Sequence, residues 1–136
     1  MEWLRDRQQV QEQYDIALTV VAGLSLADEQ NAATEHDFEV MTAIVDSFAW
    51  VLGRVDTAPV TGREMPGPAT RQVFSEWSQT ESMTVGSYRR PAGLSFRYVS
   101  TVEHALAWLQ KRDDDPPAEP VSDQGIAAAR AIVAAP

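Results

Sequence analysis

Apolar residues recur at helical spacing in two stretches of the N-terminal half. The first stretch consists of Val10, Tyr14, Ala17, Val21 and Leu24. The second stretch, which is wider, consists of Phe38, Met41, Ile44, Val45, Phe48, Val51, Leu52 and Val55. Steps of three and four residues place side chains on one face of a helix. They predict a helix over about residues 3–24 and a second helix that begins after Thr34, joined as an antiparallel helical hairpin.

A loop and two shorter helices are predicted after this hairpin. Residues 56–68 are rich in proline and glycine, which is typical of a loop. Pro68 can open a short third helix through about Gln79, because proline at the first helical position loses no intrahelical hydrogen bond. The sequence Ser100-Thr101-Val102-Glu103 has the form of a capping box and predicts the start of a fourth helix.

Between the third and fourth helices the apolar period changes to two. Residues alternate in type from Met83 to Tyr88 and again from Leu94 to Val99, and Arg90-Pro91-Ala92-Gly93 suits a type I turn. This alternation predicts a two-stranded β-hairpin at about residues 82–100. The predicted fold class is therefore mainly α with one β-hairpin (α+β).

The C-terminal segment has a different composition from the helices. Residues 113–120 combine four acidic residues with three prolines, and such a sequence cannot continue a helix. We therefore predict one helical domain over residues 1–112, followed by an acidic, proline-rich linker and a C-terminal arm over residues 113–136. The spacing of Ile126 and Val133 predicts a weak helical face in that arm, and both residues are candidates for docking on a partner.

Charge is distributed unevenly along the 136 residues, whose formal net charge is −9. Residues 1–62 carry eleven acidic side chains against three arginines, whereas residues 63–100 carry five arginines against three glutamates. Residues 101–136 are acidic again. The overall charge makes binding to nucleic acid unlikely and disfavours an anionic membrane. The mixed-charge start of the chain and the lack of a long apolar stretch predict a cytoplasmic protein without a membrane span.

The sequence contains few residues in patterns that support catalysis or cofactor binding. The absence of cysteine excludes disulfides, thiolate zinc sites and cysteine nucleophiles. Neither a nucleophile elbow nor a phosphate-binding glycine motif occurs. The two histidines, His36 and His104, lack neighbours at the spacing of metal ligands or of a catalytic pair. We therefore expect a protein that is not an enzyme and holds neither a metal nor another cofactor.

The cationic middle of the chain coincides with the predicted β-hairpin and indicates a surface for protein partners. Arginine and exposed tryptophan are frequent anchors in protein interfaces. The predicted partner-binding residues are Arg71, Arg89, Arg90, Arg97, Trp3, Ile126 and Val133. Because the acidic front and the cationic middle are complementary, the partner is expected to be another protein or a second copy in a homo-oligomer.

Two resemblances leave other functions open. The segment Glu81-Ser82-Met83-Thr84-Val85-Gly86-Ser87-Tyr88 resembles the segment before the last helix in some small head-to-tail adaptor proteins of tailed phages. That resemblance implies a helical protein that forms rings in a virion. The element order around the predicted β-hairpin is similar to that of a winged helix, which implies a DNA-binding regulator with Arg89 and Arg90 at the tip of its wing.

Overall fold

The computed structural model describes residues 4–26 and 32–118, and these residues form four α-helices. They are α1 (Arg7–Leu26), α2 (Ala32–Val51), α3 (Thr70–Thr84) and α4 (Phe96–Leu109). α2 packs against α1 and against α4, and α4 also packs against α3. In the described ranges, no helix combines the length and the apolar character needed to cross a bilayer.

The core is built around α2, because α1 packs against this helix and α4 packs against it as well. Met41, Ile44 and Phe48 are completely buried, and the ring of Phe48 lies 5.7 Å from that of Trp108 on α4. Trp50 is also buried, and its indole Nε1–H donates a hydrogen bond of 3.1 Å to the carbonyl of Met65. This bond attaches the loop between α2 and α3 to the core.

The β-hairpin predicted at about residues 82–100 is wrong. Within the described residues, the only β-type pairing is an isolated bridge between Thr57 and Glu64. α3 continues beyond Gln79 to Thr84, and Gly86 terminates it with φ +83°. The Ser87 N–H donates to the carbonyl of Ser82 at 2.8 Å, as in a Schellman motif. The alternation that begins at Met83 is therefore the last turn of a helix and its cap.

The second predicted strand is the beginning of α4, which starts at Phe96 and not near Thr101. Ser95 is the N-cap residue, because its Oγ accepts a hydrogen bond of 3.0 Å from the Tyr98 N–H. Leu94 and Val99 occupy the two apolar positions of a hydrophobic staple around this cap. Apolar residues that flank a helix start can thus imitate the period of a strand over a few residues.

The loop between α2 and α3, residues 52–69, is held against α3 by one buried side chain. Glu76 is only 1% exposed, and its carboxylate accepts hydrogen bonds from the backbone N–H groups of Val60 and Thr61, both at 2.9 Å. The Thr61 hydroxyl donates a third bond to the same carboxylate at 2.6 Å. The loop therefore has a fixed path beside α3.

The two ends of the described chain meet near the C-terminal end of α4. The Arg5 side chain donates to the carbonyls of Trp108 at 2.8 Å and of Asp113 at 3.0 Å. The Ala118 N–H donates to the side-chain oxygen of Gln13 on α1 at 2.9 Å. Residues 113–118, the described part of the predicted linker, therefore lie against α4 and α1.

Candidate functional site

The segment from residue 85 to residue 97, here called the arginine loop, presents apolar and cationic side chains to solvent. Val85, Tyr88 and Phe96 are 70%, 62% and 52% exposed. Three arginines are exposed beside them, namely Arg89, Arg90 and Arg97. The sequence has no acidic residue between Glu81 and Glu103. Arginine and aromatic side chains are the types most enriched in protein interfaces.

Both ends of the arginine loop are fixed to the helices. At its start, the Tyr88 N–H donates to the carbonyl of Ser82 at 3.2 Å. At its end, the Ser95 hydroxyl donates to Oε1 of Glu39 on α2 at 2.5 Å. Arg90 lies over the ring of Phe96 at 5.9 Å and donates to the carbonyl of Leu94. The loop therefore presents its side chains from an anchored backbone.

A cavity of about 410 Å³ lies where the arginine loop meets the loop between α2 and α3. Its lining residues are Arg63, Gln79, Met83, Tyr88 and Arg89. The Arg63 guanidinium donates to the side-chain oxygen of Gln79 at 3.3 Å. We call it the donor cavity, because two guanidinium groups, a phenol and an amide group can all donate hydrogen bonds into it.

A groove of about 390 Å³ between α2 and the start of α4 has the opposite charge. Its lining residues are Glu35, Phe38, Glu39, Thr42 and Tyr98. The Tyr98 hydroxyl donates to Oδ2 of Asp46 at 2.7 Å. Burial raises the pKa of Asp46, and the hydrogen bond from Tyr98 partly offsets this effect. Burial is the main cause that raises the pKa of Tyr98, and the hydrogen bond to Asp46 raises it further. The groove and the donor cavity share no lining residue.

Arginines and carboxylates are not paired with each other in the described part of the chain. The one contact there between a basic and an acidic side chain joins His104 Nε2 to Asp113 Oδ2 at 3.3 Å, and it is an ion pair only when the histidine is protonated. Several arginines instead lie over aromatic rings, as Arg54 does over Tyr14 at 4.6 Å and Arg112 over Trp77 at 4.2 Å. The charges of the acidic helices and of the arginine loop are therefore not neutralised by contacts within those residues.

The predicted partner-binding residues are separated by the fold. Arg89, Arg90 and Arg97 lie together in the arginine loop. Arg71 is exposed in the first turn of α3, at the opposite end of that helix from the loop. Three further predictions, Trp3, Ile126 and Val133, concern residues outside the described ranges.

Sequence reasoning missed Arg63, which shares the donor cavity with Arg89. Arg63 lies in the proline- and glycine-rich loop. The apolar residues of this loop have no regular spacing from which its path could be predicted. Its one signal in the sequence is that it is the first cation of the cationic middle. The sequence pattern also does not identify Tyr88 and Phe96 as exposed contact residues, because their alternation with other residue types predicts strands at these positions.

Two titratable groups of α4, His104 and Glu103, contact the segment after α4 and α3, respectively. His104 Nε2 lies 3.0 Å from the carbonyl of Asp115, so that this nitrogen donates the hydrogen bond. Glu103 accepts a bond of 3.2 Å from the Trp77 indole, and burial raises the pKa of this glutamate. Among the described residues, no three histidine or carboxylate side chains are grouped so that they could hold a metal ion.

Comparisons with protein-family models, with curated proteins and with solved structures found no match for the chain. Function is therefore inferred from the geometry and the charge of the chain itself. The winged-helix resemblance also loses its main support, because residues 82–100 contain no hairpin that could serve as a wing.

Proposed function

We propose that the chain is a non-enzymatic protein-interaction and assembly module that binds its partner through the arginine loop. The supporting observation is an anchored segment in which three exposed arginines accompany exposed Tyr88 and Phe96 without a neutralising carboxylate. Large aromatic side chains supply apolar contact area, while guanidinium groups recognise carboxylates through paired hydrogen bonds.

The partner that the charge distribution favours is a second copy of the chain. Asp6, Glu12 and Asp15 of the α1 segment are exposed, and so is Glu35 on α2. None of them forms an ion pair within the described residues. Contact between the arginine loop of one copy and the acidic helices of the next is head to tail, and such a contact builds a closed ring or an open filament.

A DNA partner has less support than a protein partner. α3, which would read the bases in a winged-helix arrangement, contains Arg71 as its one cation and also carries Glu76 and Glu81. Phosphate contacts dominate nucleic-acid affinity, and a chain with a net charge of −9 is poorly suited to them.

Light scattering coupled to size exclusion tests the proposed function. The wild-type chain should have a mass above that of the monomer at about 0.05 M salt and a lower mass at about 0.5 M salt, since exposed charges are screened over shorter distances as salt rises. The double variant Arg89→Glu/Arg90→Glu should be monomeric at both concentrations with nearly unchanged thermal unfolding, because both side chains are exposed and Arg90 loses only surface contacts with Phe96 and Leu94.

Arg71→Glu is the control, because it reverses the charge of one exposed arginine at the other end of α3, whereas the double variant reverses two charges in the arginine loop. It should assemble like the wild type. Assembly that persists in the double variant, or a wild-type monomer at both salt concentrations, would show that the arginine loop does not mediate assembly. A discrete ring mass would favour the adaptor-like arrangement over an open filament.

A further inference from the structure

We propose that the donor cavity is an anion site that takes the carboxylate of a glutamate or aspartate side chain from a second copy of the chain. This inference rests on the proposed assembly function and identifies where one contact is made. The cavity, lined by Arg63, Gln79, Met83, Tyr88 and Arg89, lies at the edge of the arginine loop.

The chemistry of the lining selects an acceptor group. Arg63 and Arg89 offer only N–H donors, and neither guanidinium has a carboxylate partner among the described residues. The side-chain oxygen of Gln79 already accepts a hydrogen bond from Arg63, which leaves the amide group as a donor. A carboxylate fits this set, because each guanidinium can bind it through two parallel hydrogen bonds.

The cavity is formed before a ligand arrives, because both of its arginines extend from fixed backbone. The Arg63 carbonyl accepts a hydrogen bond of 2.9 Å from Ala58, and the residues just before Arg63 are held by buried Glu76. Arg89 follows Tyr88, whose N–H is bonded to the last turns of α3. A preformed site loses less conformational entropy when it binds.

Charge and size favour a side chain of a second copy as the occupant. The first 62 residues carry eleven acidic side chains, and the exposed ones include Asp6, Glu12, Asp15 and Glu35, so each copy offers carboxylates to a neighbour. A space of about 410 Å³ admits one side chain and excludes a folded element. Met83 supplies an apolar wall for the methylene groups of that side chain.

The first experiment measures binding of small anions to the full chain. Glutarate and inorganic phosphate are titrated separately, and the side-chain amide signal of Gln79 is followed by ¹⁵N NMR. Glutarate should shift this signal saturably, and Arg63→Gln should weaken the affinity about tenfold through the loss of charged hydrogen bonds. Arg71→Gln, an exposed arginine that does not line the cavity, should bind like the wild type.

The second experiment measures self-association of the same variants. Arg63→Gln should raise the dissociation constant for assembly about tenfold, and excess glutarate should compete with assembly in the wild type. The absence of a glutarate-dependent shift, or tighter binding of phosphate than of glutarate, would overturn the carboxylate site. If glutarate binds but Arg63→Gln assembles normally, a second copy is not the occupant; loss of assembly in Arg89→Glu/Arg90→Glu would still support the arginine loop.

Discussion

The carboxylate of Glu76 on α3 accepts a hydrogen bond of 2.6 Å from the hydroxyl of Thr61 in the preceding loop. Two backbone N–H groups of that loop donate to the same carboxylate. A buried carboxyl group is tolerated when several hydrogen-bond donors satisfy its oxygens. Glu76 is therefore a structural carboxylate that sets the position of Arg63.

Replacing Glu76 with alanine should destabilise the fold by about 3 kcal/mol, because buried backbone donors are left without an acceptor. The measurement is the free energy of unfolding from urea denaturation. Glu64→Gln, at an exposed position in the same loop, is the control and should change stability little. A loss below about 1 kcal/mol in Glu76→Ala would mean that other contacts hold the loop.

Substitution of Lys111 by glycine should stabilise the chain by about 1 kcal/mol. Lys111 adopts φ +61° at the end of α4, in the Schellman position that glycine occupies in the corresponding caps, Gly53 after α2 and Gly86 after α3. A side chain in this left-handed conformation is strained, and glycine relieves the strain.

Thermal or urea unfolding of Lys111→Gly measures the effect. The control is Gln110→Gly, one residue earlier at φ −86°, where glycine gains nothing and should destabilise. Equal destabilisation by both substitutions would contradict the strain at Lys111.

Tyr98→Phe should raise the pKa of Asp46 further above its ordinary value of 3.8, because the lost hydrogen bond is the contact that stabilises the charged carboxylate. A carboxyl with a raised pKa binds its proton more tightly when folded. The contribution of Asp46 to the free energy of unfolding therefore falls as the pH rises from below 3.8 through the raised pKa. The variant should lose more stability over this range than the wild type.

Carbon-13 NMR titration of the Asp46 carboxyl gives the pKa directly, and urea unfolding across the same pH range gives the stability. Tyr88→Phe removes a phenol hydroxyl from an exposed position and should leave both quantities unchanged. An Asp46 pKa that stays the same or falls in Tyr98→Phe would refute the proposed stabilisation.

Arg5→Gln should destabilise the chain by about 2 kcal/mol, because the guanidinium donates to the carbonyl of Trp108 in the last turn of α4 and to the carbonyl of Asp113 in the segment after it. It also lies 4.7 Å from the ring of Trp108, and this contact is lost as well. Arg7→Gln is the comparison, since Arg7 is exposed and makes one bond of 3.4 Å to Leu52. Urea unfolding should rank Arg5→Gln clearly below Arg7→Gln in stability.

The regular spacing of apolar residues predicts the helices of this fold, but it does not predict where all of them begin and end. The last turns of α3 are mostly polar, so its apolar residues at helical spacing stop before the helix does. Only the cap at Gly86 marks the end of α3. At α4, the cap at Ser95 precedes the capping box that suggested a later start.

Burial and cavity formation depend on tertiary packing, which the period alone does not reveal. Phe38 belongs to the apolar stripe but is 39% exposed, because it borders the groove beside α4 and not the core. Arg63 lies beside Arg89 because Trp50 and Glu76 hold the loop between α2 and α3 in place, and no apolar period predicts the path of this loop.

The contacts that join the two ends of the described chain also bear on the order of folding. The side-chain bonds of Arg5 and Gln13 connect residues 103, 108 and 105 positions apart. Contacts of such long separation carry a large loop-closure cost and slow folding unless intervening helices have already brought the ends together. We therefore expect α1 and α4 to dock on α2 before the bonds of Arg5 and Gln13 form and close the structure.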